Sequence, residues 1–490
     1  HNIFVNNYLD FLENHEVAFD SNFRKKFQND TFLVYRLLSE NRREYIQYKY
    51  EEYQRIRRER FITYFASFSD ADIKHFIDHC LEIEGGVKQS HDRYEIVSGF
   101  AIAMGVLAET RQDLFEVAIS HYLQQGDKLD LHPIPIVRVF MTNYGKEKTF
   151  TFLNELDYPT KKRWLFGYYQ MLPSDKIRID DLSSLYKLFK EAEYPQLPNH
   201  LDFLLEYVPF DNHVVAKVAQ LILDKGNSRQ AAWILNSIIN PYSEINKSLG
   251  NLFKDDIETF KKVYLTVKAD KNHDDHNSAT LSKILDIDPE FIIEYIEWIY
   301  APKGEGSRWY HDSQDYLALW RRQNYREIFN RIVEFVYKKR KDDRWYIELR
   351  QFFTPDIAER LDADIEYKQE QLFSELINSH HQDIDFIEFL FETIAYFPKE
   401  RRSRLIFTFL QNNKKFADFK RLNIELGAMS RSGSAVPVYQ ELIDYLKSIL
   451  RMLDNAQLLE HRLYVQQRID AWERQNNLEK KRDFIGEDDF

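Results

Sequence analysis

One pattern of apolar and acidic positions recurs three times along the chain: Asp202-Phe-Leu-Leu-Glu-Tyr-Val, Glu290-Phe-Ile-Ile-Glu-Tyr-Ile and Asp385-Phe-Ile-Glu-Phe-Leu-Phe. Such runs suit helices with one buried face, and no segment shows the period-two alternation of a convincing strand. Phe203, Phe291 and Phe386 lie 88 and 95 residues apart, about twice the 40–47 residues of a HEAT-type pair of helices. Degenerate copies fit at 257–267 and 325–337. Each such pair buries a face against the next, so an array stacks. The expected fold is all-α, an irregular α-solenoid of HEAT- or TPR-like helix pairs.

Local signals agree. Ser69 and Asp72 have capping-box spacing ahead of the apolar run IKHFIDHCLEI, and Gly85-Gly86 is placed to end that helix. Asp288-Pro289-Glu290 and Thr354-Pro355-Asp356 each set a cap residue before a proline and an acid. Pro173, Pro195, Pro198, Pro209 and Pro398 punctuate ends. Residues 31–68, charged in the middle and apolar at both ends, predict one or two long helices. Polar, turn-rich stretches at 268–281, 301–314 and 427–437 read as loops. Three regions are expected: an N-terminal helical region with a long charged helix (1–150), the helical repeat (151–398) and a C-terminal helical cap (399–490).

Composition strengthens the helical reading. Fourteen glycines and thirteen prolines in 490 residues are less than half the ordinary share of about 12%, so sharp turns are few. Aromatics are 15% of the chain, and flat rings suit the wedge-shaped gaps between irregular helices. The net charge of −12 disfavours nonspecific nucleic-acid binding by the whole chain. The single cysteine, Cys80, excludes an internal disulfide and any CxxC metal knuckle. No apolar run reaches the length of a membrane span, and a cytoplasmic setting is expected. The first residue is His1, not Met, and the chain reads as part of a longer protein.

Catalytic chemistry finds little support. There is no GxxxxGK[ST] phosphate loop and no GxSxG elbow, and Gly304-Glu-Gly306 is a lone GxG without a strand before it. His75-Phe-Ile-Asp-His79 puts two imidazoles one helical turn apart, the spacing of an inverted zinc-protease motif with Asp78 in place of Glu, yet no third ligand can be named. His273-Asp-Asp-His276 cannot all converge on one ion, and Asp383 and Asp385 beside His380-His381 suit helix caps. No catalytic, cofactor or metal residue is assigned. The basic runs 55–60, 338–341 and 399–404 read as solvated helix faces or a cationic helix end. Trp309, Tyr310, Tyr316, Trp320, Trp345 and Tyr346 cluster outside the repeated pattern. Exposed on one concave face they would anchor a partner protein; buried, they would be core.

The last ninety residues add a resemblance. FADFKRLNIELGAMSRSGSAVPVY at 416–439, then Glu460-His461-Arg462-Leu-Tyr464-Val465 and the ending EKKRDFIGEDDF, resemble the C-terminal tail of bacterial STAND-type NTPases, in particular the antiviral Avs group. The match covers about 399–490. It implies a sensor region that captures a phage protein such as a terminase or portal subunit. ATP and Mg would then bind only in an NTPase domain outside this chain, self-association would belong to the full-length protein, and an effector elsewhere would be triggered. The alternatives are a nucleic-acid-binding helical repeat and a passive protein–protein scaffold.

Overall fold

Among the described residues every regular element is a helix, and none is a strand. The structure is a computed structural model that describes residues 8–9, 11–15, 30–39, 49–86, 90–270, 279–300, 316–340, 352–353, 362–395, 397–425 and 434–486. The chain divides into two compact units, His1–Ile238 and Ile239–Phe490.

The first unit runs through α1 (Asp30–Leu38), α2 (Tyr50–Phe65), α3 (Asp70–Gly86), α4 (Ser90–Thr110), α5 (Gln112–Gln124), α6 (Pro133–Glu155), α7 (Lys161–Met171), α8 (Ile179–Glu191), α9 (Val214–Leu223) and α10 (Ser228–Ile239). Among the described residues of the N-terminal charged stretch, α1 and α2 are helical. The capping box of α3 forms as its spacing predicts: Asp72 accepts from the Ser69 backbone N–H at 2.8 Å and Ser69 Oγ accepts from the Asp72 N–H at 3.4 Å. Helices pack on their next-but-one neighbours as well as on adjacent ones, as α3 does on α1 and α5 and α4 on α2 and α6. Cys80 on α3 is buried in this packing. Gly145, at φ 82°, breaks α6 into two segments, a conformation that glycine adopts without a Cβ penalty. There Lys146 turns inward to Asp181 at 2.6 Å and to the Lys176 carbonyl at 2.8 Å.

The second unit contains α11 (Ile257–Lys268), α12 (Ala279–Ile287), α13 (Phe291–Tyr300), α14 (Tyr325–Lys339), α15 (Ala363–His380), α16 (Ile384–Thr393), α17 (Lys399–Asn412), α18 (Phe416–Arg421), α19 (Val436–Met452) and α20 (Leu459–Gly486). The repeated pattern is helical at two of its three strong copies, with Phe291 and Phe386 buried. The degenerate copies at 257–267 and 325–337 are helical too, in α11 and α14. The first strong copy differs: Asp202–Tyr207 is a 3-10 turn that buries Leu204 and Tyr207 and leaves Phe203 half-buried. Asp288 caps a turn before α13, accepting from the Glu290 N–H at 3.0 Å, so that helix starts two residues later than the proline suggests. Thr354-Pro355-Asp356 lies outside the described residues, as do 271–278, 301–314 and 427–433 of the three expected loops. No helix among the described residues is long and apolar enough to cross a membrane.

Candidate functional site

The aromatic cluster divides. Tyr316 and Trp320 are 2% and 0% exposed. They sit four residues apart on a short 3-10 segment, Tyr316–Arg321, that turns both rings inward. Trp320 stacks on Phe329 with centroids 3.7 Å apart and donates its indole N–H to the Phe352 carbonyl at 2.8 Å. Tyr316 stacks on Phe352 at 4.1 Å and meets the Tyr295 hydroxyl at 3.1 Å. Both are core residues, and their assignment as partner anchors is corrected accordingly. Trp309, Tyr310, Trp345 and Tyr346 lie outside the described residues.

Rings that do face solvent are elsewhere. Trp233 on α10 is 54% exposed, while Ala231, Ala232, Ile234, Leu235 and Ile238 of the same helix are buried. The 3.6-residue period therefore leaves Trp233 on the outer stripe, a signal already legible in the run AAWILNSII. In the second unit Tyr242 and Tyr367 are exposed.

Among the described residues the histidine pair gathers no third metal ligand. Asp78 is hydrogen-bonded by His121 Nε2 at 2.7 Å, His75 is exposed, and His79 faces Glu82 at 3.5 Å. Among the described residues no group of three His, Cys, Asp or Glu is placed to hold a metal ion; His273 and His276 lie outside them. At the other pair, Asp383 caps α16 through the Phe386 N–H at 3.1 Å, as expected. Asp385 does not cap and instead pairs with Arg421 at 2.6 Å.

Two of the basic runs, 55–60 and 399–404, are largely engaged within the chain, whereas Lys338 and Lys339 of the run 338–341 are exposed. Arg55 pairs with Glu59 at 2.6 Å and Arg58 with Glu109. Arg404 makes a two-pronged contact with Glu370 at 2.6 and 2.7 Å. Arg57, Arg401 and Arg402 are buried, a correction to the solvated-face reading. Arg57 donates to the Leu38 carbonyl at 2.8 Å, and Arg401 donates to Gln369 Oε1 at 3.0 Å while lying 4.2 Å from the Phe397 ring centroid.

Two buried charges are structural. Asp127, in the turn between α5 and α6, accepts from the Tyr122 hydroxyl, from Trp164 Nε1 at 3.0 Å, from Arg163 at 3.3 Å and from the Leu131 N–H at 3.3 Å. Burial pushes its carboxyl up, opposed by the Tyr122 and Trp164 hydrogen bonds and by Arg163. With its lone pairs filled and its side chain sealed from solvent, it fastens α5 to α7 and has no access to a substrate. Lys261 on α11 is held by Asp288 at 2.6 Å, Glu258 at 2.9 Å and Glu294 at 3.1 Å. Burial opposes its charge, but those three hydrogen bonds win and raise its pKa.

In the tail, residues from two of the three stretches that carry the sequence resemblance meet. Phe416 and Phe419 of α18 pack on His461 and Tyr464 of α20, with ring centroids 5.0–6.3 Å apart. Just beyond α18, Glu425 is gripped by Arg468 and accepts from Trp472 Nε1 at 3.1 Å. His461 is 1% exposed, and neither ring nitrogen has a hydrogen-bond partner among the described residues. Burial lowers its pKa, with Glu460 pulling weakly the other way. The neutral ring is thus the one the fold accepts, and its contribution is present above the unfolded value of 6.5 and lost as pH falls below it. The second unit should lose up to about 1.4 kcal/mol per pH unit through this residue below that point. Urea midpoints at pH 7.5 and 5.5 check this: His461→Phe should shrink the difference relative to the unaltered chain.

Between α17 and α19 lies a groove of about 570 Å³ lined by Lys399, Glu400, Ser403, Arg404, Glu441, Asp444, Tyr445, Ser448 and Met452. It is the candidate binding site of the second unit, because it joins a charged rim to a floor of hydroxyl groups.

No family model, curated protein or solved structure matches this chain. What the described residues offer a ligand is therefore read from geometry alone: helical surfaces, buried polar knots that hold helices together, and a polar groove.

Proposed function

We propose that this chain recognises a protein, as the sensor region of a bacterial antiphage NTPase of the STAND type. Its helix pairs stack as an irregular solenoid, bind a phage protein such as a terminase or portal subunit in the cytoplasm, and catalyse nothing themselves. ATP and Mg would be bound by an NTPase domain outside this chain. The observation that carries the reading is the packing of Phe416 and Phe419 on His461 and Tyr464. Residues from two of the three stretches that resemble the STAND tail, apart in sequence, pack on each other, which supports reading them as parts of one module. The pairing of Arg55, Arg58 and Arg404 with carboxylates weighs against nucleic-acid binding through the runs 55–60 and 399–404, since phosphate contacts need cations that are not already neutralised.

Co-expression of the chain with individual phage structural and packaging proteins, followed by native mass spectrometry, tests this. A stoichiometric complex with one of them is expected. A folded, uncomplexed chain throughout, or steeply salt-dependent oligonucleotide binding in its place, would overturn it. Trp233→Ala, which removes an exposed ring, should weaken any complex made through α10 without moving the urea midpoint. Trp320→Ala should lower that midpoint, because it empties core.

A further inference from the structure

We infer that the groove between α17 and α19 receives a lysine or arginine side chain from a segment of the captured protein. This rests on the protein-recognition reading above and names the chemistry of the contact.

The rim sets the sign of charge. Lys399 is answered by Glu441 at 3.1 Å and Arg404 by Glu370 at 2.6 Å. Glu400 and Asp444, both exposed on the rim, carry no ion pair among the described residues; Asp444 accepts there from the neutral Gln440 amide at 3.1 Å. Arg402, buried with its guanidinium 5.4 Å from the Tyr445 ring centroid, adds a cation behind the floor, but the charge left on the rim for a ligand to meet is negative, which disfavours phosphates and acidic peptides and favours a cation.

The floor sets the hydrogen-bonding sense. Ser403 donates to the Lys399 carbonyl at 2.9 Å and Ser448 to the Tyr445 carbonyl at 2.6 Å. The two hydroxyl oxygens face each other across 3.0 Å. That contact is a hydrogen bond in which either hydroxyl can donate, so both protons are used within the chain and each oxygen keeps a lone pair for an incoming N–H donor. Tyr445 is the independent observation. It lines the groove, is 3% exposed, and its hydroxyl has no hydrogen-bond partner among the described residues. A buried phenol left so is costly, and its oxygen can accept from a ligand N–H. The volume suits a long side chain with its flanking backbone.

The test uses capped peptides Gly-Ser-Xaa-Ser-Gly, with arginine, lysine, glutamine or glutamate at the centre, titrated into the full chain by fluorescence anisotropy. The arginine or lysine peptide should bind saturably, more weakly as salt rises, and at least about tenfold more tightly than the glutamine and glutamate peptides. Glu400→Gln combined with Asp444→Asn should weaken that binding about tenfold while leaving the urea midpoint in place, both residues being exposed. Tyr445→Phe should weaken it several-fold. Absence of saturable binding by either basic peptide, equal binding of the glutamate peptide, or an unchanged affinity in the double variant would each overturn the inference. Failure here beside a complex in the co-expression experiment moves the contact elsewhere on the chain and leaves the sensor reading standing. Peptide binding without any such complex does the reverse.

Discussion

Asp127→Ala should cost the first unit about 3–5 kcal/mol, the range for removing one partner of a buried charged network. Four donors lose their acceptor together, and three of them, Tyr122, Trp164 and the Leu131 N–H, are buried where water cannot take its place. The backbone adds to the loss: Asp127 has φ 52°, a left-handed conformation that alanine tolerates less well than aspartate or asparagine. Asp127→Asn keeps an acceptor oxygen and that tolerance, so it should lose roughly half as much. Urea unfolding followed by peptide-level hydrogen exchange over 112–171 distinguishes the two. Equal losses would mean that the charge of Asp127, not its acceptor geometry, holds the joint.

Gly99→Ala should destabilise the same unit by about 2 kcal/mol, against the usual direction for such a change in a helix. Alanine gains about 1 kcal/mol of helix propensity over glycine. Here, however, a Cβ would meet the Leu38 carbonyl oxygen at 2.1 Å and the Leu38 Cα at 2.6 Å. Those are backbone atoms at the end of α1, which cannot swing aside as a side chain could. The helices must part, at the roughly 1–3 kcal/mol or more that overpacking costs, and Arg57, which donates to the same carbonyl, loses its acceptor as they do. Gly99→Val should release α1 altogether, seen as loss of exchange protection over 30–38 with protection retained over 214–223. Full protection of α1 in that variant would show that α4 can slide to make room.

Helical content was legible because it is local. The amphipathic stretches at 257–268 and 325–339 carry their own period, and Ser69 needs only Asp72 to cap α3. What the sequence hid depends on residues arriving from far away. Arg57, Arg401 and Arg402 look like members of a solvated run until Leu38, Gln369 and Tyr445 come over them. Asp127 reads as one more turn acid in QGDKLDLH, with nothing to announce that Trp164 will find it. Tyr316 and Trp320 failed as surface anchors because composition counts rings without saying which way they turn; spacing of four on a short segment turned both inward. Trp233 escapes notice for the converse reason, since an aromatic within an apolar run looks like core until its angular position on the helix is worked out. The groove was invisible beforehand: it depends on α19 meeting α17 some forty residues earlier in the chain.

Cys80 is the chain's only thiol, and burial holds its pKa well above the ordinary value. An alkylating reagent in the solvent can therefore react only in the moments when α3 comes away from α1 and α5. The rate at which mass is added at that one atom is a clock for openings of the first unit, silent to every event confined to the second. It is built into the unaltered sequence, so it can time the first unit's motions in the free chain and again with a partner bound, without a label having been introduced.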